Sequence, residues 1–122
     1  MTDRIVLGGM AFQGRHGVNE WEKVEAQRFE VDVELELDLA PAGLGDDLSK
    51  TVDYRDVHAV AKQVVEGRSF DLIEAIAEAI AGEVLAEKPM LAGVVVRVRK
   101  PEVRLGDPLD YAGVEIRRER DR

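Results

Sequence analysis

Five polar side chains stand where the apolar pattern of the sequence breaks: His16, Glu22, Tyr54, Glu74 and Lys100. An imidazole, two carboxylates, a phenol and an amine can together give and take protons, which is the material of general acid–base chemistry. Each also has a plain structural reading. His16, flanked by glycines two residues before and one after it, fits a turn, and Glu22 fits a solvated loop. Tyr54 fits a helix start with its hydroxyl in water. Glu74 would be favoured by the dipole in the first turn of a helix, and Lys100 fits a charge that ends a strand. Helix geometry alone does not separate Glu74 from Glu78.

Other chemistries find less support. Zinc sites need three or four Cys, His or carboxylate ligands, and the chain has no cysteine and only His16 and His58, on separate elements. No metal centre is expected, and no disulfide. Gly8-Gly9 and Gly43-Leu44-Gly45 match neither phosphate-loop nor dinucleotide patterns. No nucleophile elbow is present, and Ser49 and Ser69 sit where helix capping accounts for them. With 25 acidic against 17 basic residues and a net charge of −8, nucleic acid is not an expected partner. The basic cluster Arg117, Arg118, Arg120 and Arg122, interrupted by Glu119 and Asp121, reads as a frayed, solvated tail. The opening Met1-Thr2-Asp3-Arg4 lacks a signal-peptide layout, and no apolar run approaches the roughly 20 residues of a membrane span. A soluble, cytoplasmic protein is expected.

Periodicity supplies the elements that would position these residues. Ile5 to Gly14 reads as a strand whose alternation slips at Gly8-Gly9, where a bulge would absorb one residue. Phe29, Val31, Val33, Leu35, Leu37 and Leu39 alternate with Glu30, Asp32, Glu34, Glu36 and Asp38, a long strand with one buried face. It is expected to pair antiparallel with the first strand. Its acidic face is expected in water, or else lining a water-filled space or meeting bases of another subunit. Residues 40–50 read as a loop. Asp53 can cap a helix, with Asp56 standing in for the glutamate of a capping box, and Gly67 stops it. A second helix is expected from about Ser69–Asp71 to Lys88-Pro89, with Leu72, Ile73, Ile76, Ala77, Ile80 and Val84 as its apolar stripe. Short strands around Val94–Val98 and Val114–Ile116 close the order β-β-α-α-β-β. Residues 1–122 therefore read as a single α+β domain with a four-stranded antiparallel sheet and two helices.

Several short blocks resemble the dihydroneopterin aldolase family. They are Gly14-Arg15-His16-Gly17-Val18, then Glu22, then Gln27-Arg28-Phe29 before the acidic strand, Thr51-Val52-Asp53-Tyr54, Leu72-Ile73-Glu74, and Lys100-Pro101. They come in the family's order and intervals and span nearly the whole chain. One departure is visible: the family commonly carries another proline soon after the Lys-Pro pair, where this chain has Glu102-Val103-Arg104-Leu105.

The resemblance implies a tunnelling fold, in which ββααββ units join their sheets into a barrel, four to a ring and two rings to an octamer, with sites between subunits. It implies that Glu74 binds the aminopyrimidine edge of a pterin, helped by backbone near Val52 and Ile73. Tyr54 would flank the pterin, Lys100 would transfer protons, and Glu22 would orient the lysine, a water or a substrate hydroxyl. An amine acting as base must spend time neutral; burial and nearby Arg97 and Arg99 would favour that, and Glu22 would oppose it. The reaction implied is retro-aldol cleavage of 7,8-dihydroneopterin, with no cofactor. Alternatives on the same fold are an epimerase of dihydroneopterin or its triphosphate and a non-catalytic pterin- or purine-binding oligomer.

Overall fold

A computed structural model describes residues 3–120. Four strands, β1 (Arg4–Gly14), β2 (Gln27–Glu36), β3 (Gly93–Lys100) and β4 (Ala112–Glu119), form one antiparallel sheet in sequential order. Two long helices, α3 (Tyr54–Glu66) and α4 (Ile73–Glu87), cover one face, α3 against β1 and α4 against β3 and β4. The core forms between them, with Phe29, Val31, Val33 and Leu35 of β2 and Val94, Val96 and Val98 of β3 facing Val57, Ala61, Val65, Ile76, Ile80 and Val84. Among the described residues no helix is long and apolar enough to cross a membrane.

The bulge in β1 falls where the alternation slips. Pairing with β2 skips Gly8 and Gly9 between Leu7 and Met10. Gly9 takes a left-handed φ of 68°, and its N–H donates to Asp32 Oδ1 at 2.7 Å. Leu7 and Met10 can then both reach the core.

Two stretches expected as loops contain short helices, α1 (Glu20–Val24) and α2 (Ala40–Gly45), the second followed by a 3-10 turn at Leu48–Lys50. At five and six residues they are too short to show a helical period. Pro41 sits in the first turn of α2, where its missing N–H costs nothing. Asp53 caps α3 by accepting from Arg55 N at 3.0 Å, as expected. Asp56 does not complete a capping box; its carboxylate takes Lys88 Nζ at 2.6 Å. The second long helix begins at Ile73, later than expected, and Leu72 is half exposed rather than part of the core stripe. Neither serine caps a helix: Ser49 donates to Asp47 and Ser69 to the Arg15 carbonyl.

The acidic face of β2 is not a solvated one, and its bases come from the same chain. Glu30 pairs with Arg28 and Arg99, Asp32 with Arg99, Glu34 with Arg4 and Arg97, and Glu36 with Arg117. Arginines of β1, β3 and β4 thus lie over Glu30, Asp32, Glu34 and Glu36, and Glu34 and Glu36 are buried, while Asp38 is exposed. The arginine hydrogen bonds hold Glu30, Asp32 and Glu36 below the usual carboxylate range, outweighing the upward pull of burial. The C-terminal cluster is likewise ordered rather than frayed. Arg117 and Arg118 lie in β4 and pair with Glu36 and Glu78, while Arg120 donates to the carbonyls of Leu85, Lys88 and Leu91. Asp121 and Arg122 lie outside the described residues.

Candidate active site

Alternation along β3 places Lys100 on the same, helix-covered face as Val94, Val96 and Val98, at the strand's end. Arg97 and Arg99 have the opposite parity and are held by Glu34, Glu115, Glu30 and Asp32, so they do not crowd the lysine. Beneath Lys100 comes α1, whose third residue is Glu22. Lys100 Nζ donates to Glu22 Oε2, and only 14% of the lysine side chain and 5% of the glutamate side chain are exposed. Glu22 is therefore no loop carboxylate in water.

Four donors converge on Glu22. Asn19 caps α1 and gives its backbone N–H at 3.3 Å and its amide at 2.9 Å to Oε1. Gln27 Nε2 donates to Oε2 at 3.3 Å, on the oxygen that Lys100 also uses. Burial pushes the Glu22 carboxyl up, but the hydrogen bonds from Lys100 and Asn19 outweigh it and hold the group below its ordinary value. Glu22 is thus an anion anchored at both oxygens, facing the Lys100 amine.

Gly17 makes room for that carboxylate. Its φ is 148°, and a Cβ there would overlap Glu22. Its N–H donates to the Phe70 carbonyl at 2.9 Å, and its own carbonyl accepts from Lys23 Nζ at 2.8 Å. Lys23 is also paired with Asp71.

His16 has both ring nitrogens occupied by backbone. Nδ1 accepts from the Phe70 N–H at 3.0 Å, so Nε2 carries the proton and donates to the Val65 carbonyl at 2.6 Å. Burial pushes its pKa below 6.5 despite the Val65 bond, and the charges of Lys100 and Lys23 add to the fall. The ring packs against Phe29 and Phe70. His16 is a neutral clasp between β1, α3 and the chain before α4, buried rather than filling a turn.

A cavity of about 310 Å³ opens over this pair, lined by Glu22 and Lys100 on one side and by Leu72, Ile73 and Glu74 on another. Glu74 is exposed and forms no ion pair among the described residues, whereas Glu78 is tied to Arg118. That difference separates the two glutamates that helix geometry left equivalent. No side chain caps α4, so the first N–H groups of the helix, at Ile73 and Glu74, which line the cavity, have no intrahelical partners. Val103, Arg104 and Leu105 close a third side, with the Arg104 guanidinium 4.3 Å above the Trp21 ring and Glu102 accepting from the Arg28 N–H at 2.8 Å. These contacts shape the loop where the expected proline is missing.

Val52 and Tyr54 are not part of this cavity. They line a second one, of about 480 Å³, with Ile5, Leu39 and Leu48. Ile5 pairs with Leu35, and Leu35 with Val94, six residues from Lys100 along β3; at 3.3 Å per residue the two cavities are roughly 20 Å apart along the sheet. Sequence reasoning left two residues of the first site without a role, Asn19 and Gln27. The signal for Gln27 was its parity: it continues the row Phe29–Leu35 and so had to be buried beside the loop of Glu22.

The match to known proteins follows this geometry. The family model for FolB, dihydroneopterin aldolase, covers residues 5–117, and the chain belongs to that family. It is 45% identical over 120 residues to the dihydroneopterin aldolase of Methylorubrum extorquens, covering 98% of this chain and 92% of the relative. Among solved structures, the dihydroneopterin aldolase of E. coli in complex with neopterin superposes with a TM-score of 0.88 at 27% identity, covering 96% of this chain and 99% of that one. The enzyme of Burkholderia thailendensis bound to guanine superposes with a TM-score of 0.77, also at 27% identity, covering 98% and 92%.

Proposed function

We propose that the chain is a 7,8-dihydroneopterin aldolase that releases 6-hydroxymethyl-7,8-dihydropterin and glycolaldehyde without a metal or cofactor. The observation that carries this reading is the buried Lys100–Glu22 pair beside a cavity that Glu74, without an ion pair among the described residues, also lines. The ligands named for the two structural relatives, neopterin and guanine, share an amino-oxopyrimidine edge. A carboxylate such as Glu74 meets its two parallel N–H donors with two acceptor oxygens, and the open N–H groups of Ile73 and Glu74 suit the ring's acceptors.

The chemistry asks little of the protein. The proton of the 2′-hydroxyl leaves, the bond between the first and second side-chain carbons breaks, and the second carbon becomes the aldehyde of glycolaldehyde. The released electron pair enters the imine conjugated to the dihydropterin ring, giving an enamine, and a proton returned to the first carbon completes the product. Lys100, anchored by Glu22, stands where it can move these protons, directly or through water. An amine held by a buried carboxylate is suited to proton transfer rather than to attack on a carbonyl.

Val52 and Tyr54, on the second cavity, complete the site when a second copy brings that end of its own chain against the Lys100 end. A ring of four copies and a stacked octamer satisfy this demand, and ring closure also pairs the free edges of β1 and β4. The deciding experiment adds purified protein to 7,8-dihydroneopterin and follows glycolaldehyde release. Its absence, with the protein folded and oligomeric, overturns the reading.

A further inference from the structure

Gln27 occupies a place where packing alone would favour a hydrocarbon. It is the first residue of β2 and continues the core-facing row of Phe29, Val31, Val33 and Leu35, paired across β1 with Gly14. It is 5% exposed, yet among the described residues its Oε1 meets no donor, and its one protein partner is Glu22 Oε2, 3.3 Å from Nε2. A buried amide with most of its hydrogen-bonding capacity unmet by protein groups costs stability that an apolar side chain would not. The amide cannot be turned over, because that would set its oxygen against the Glu22 carboxylate.

We infer that Gln27 is a positioning residue for proton transfer, fixing the Glu22 oxygen that in turn holds the Lys100 amine at the cavity. Glu22 Oε2 takes both Gln27 Nε2 and Lys100 Nζ, while Asn19 saturates Oε1. Without the amide, Oε2 keeps one donor and the carboxylate can rotate toward it, carrying the lysine with it. This inference rests on the aldolase reading above. The other charged or titratable groups around Glu22 are Lys23 and its partner Asp71, the neutral His16, and Glu74 and Arg104 across the cavity.

Two variants of the full-length protein test it, with wild type assayed alongside on 7,8-dihydroneopterin. Gln27→Leu should lower kcat by on the order of 10- to 100-fold, the range for small misplacements of a catalytic group. KM should stay within about threefold, because Gln27 does not line the cavity, and the unfolding midpoint should not fall. Gln27→Glu keeps the shape but sets a second carboxylate beside Glu22. The acid limb of its kcat profile should therefore move to higher pH; His16 titrates in both proteins and cancels from the comparison. A Leu variant with wild-type kcat overturns the inference, and so does one whose activity falls only in step with its folded fraction. An unshifted acid limb in Gln27→Glu does the same. A wild type without turnover would instead overturn the aldolase reading.

Discussion

Tyr54 and Lys100 stand on separate cavities at opposite ends of the helix-covered sheet. Tyr54 opens α3, and Val65, near the other end of that helix, holds His16 beside the Lys100 cavity. Eleven residues of helix put roughly 16 Å between Tyr54 and Val65. A site that uses both groups must draw them from two copies.

Complementation should reveal this directly. Tyr54→Ala and Lys100→Ala variants are each expected to be nearly inactive. Co-expressed, they should assemble hybrids in which about a quarter of the interfaces are wild type on both sides. The measurement is turnover of the purified mixture, with mass by light scattering. Hybrids as inactive as either parent, or an active monomer, would show that one chain holds the whole site.

Lys100→Ala should lower kcat by roughly 10²-fold or more, with a much smaller change in pterin affinity. Lys100→Arg should not restore it, since a guanidinium stays protonated and aims its donors differently. Borohydride added during turnover should leave the protein mass unchanged. A trapped adduct on Lys100 would mean Schiff-base chemistry instead.

Glu74→Ala should weaken binding of a pterin product by roughly 2–5 kcal/mol, the range for truncating one partner of a buried charge-assisted pair. Calorimetric titration reads this, with Glu78→Ala as the control. Glu78 binds Arg118 and does not line the cavity, so its loss should leave affinity nearly unchanged.

Gly17→Ala should cost both stability and activity. The new Cβ must displace the Glu22 carboxylate, and the φ of 148° disfavours any side chain; strain of this kind costs about 1–3 kcal/mol. Thermal unfolding and kcat are the readouts, and a fully active, equally stable variant would contradict the described geometry.

Acid should destabilise the fold in two stages. His16 is pushed below 6.5 in the folded state, so the unfolded chain binds its proton first and stability falls as pH drops from about 6.5 toward the folded value. Glu30, Asp32 and Glu36 are likewise depressed. Their contribution is complete above the ordinary values of 3.8 to 4.5 and is lost as pH falls through the lower folded ones. Melting temperature measured from pH 8 to pH 3 should show both steps, and the second should shrink at high salt.

Much of this was legible from residue order alone, for reasons that differ along the chain. β2 announced itself because an antiparallel strand with one buried face must alternate, and the slip at Gly8-Gly9 marked a bulge for the same reason. α3 and α4 carried helical stripes and end signals. α1 did not, since five residues cannot display a period of 3.6. The fate of the acidic face depended on which strands came to lie next to β2 and one strand beyond it, which is tertiary information: Arg97 and Arg99 follow it by more than sixty residues, and Arg117 of β4 by more than eighty. Of the candidate site, the short motifs singled out the residues, but only the fold shows Glu22 buried against Lys100, Tyr54 on another cavity, and Glu78 tied to Arg118 where Glu74 has no ion pair among the described residues.

The arginines laid over β2 also bear on the chain before it has folded. A strand of alternating valine, leucine and phenylalanine is the kind of segment that stacks on copies of itself into fibres, where identical residues sit about 4.8 Å apart. In such a stack Glu30, Asp32, Glu34, Glu36 and Asp38 would each become a column of like charges. The counter-charges come from β1, β3 and β4 of the same molecule. In the fold those charges meet arginines of β1, β3 and β4, whereas an in-register stack of copies would set like charges against one another.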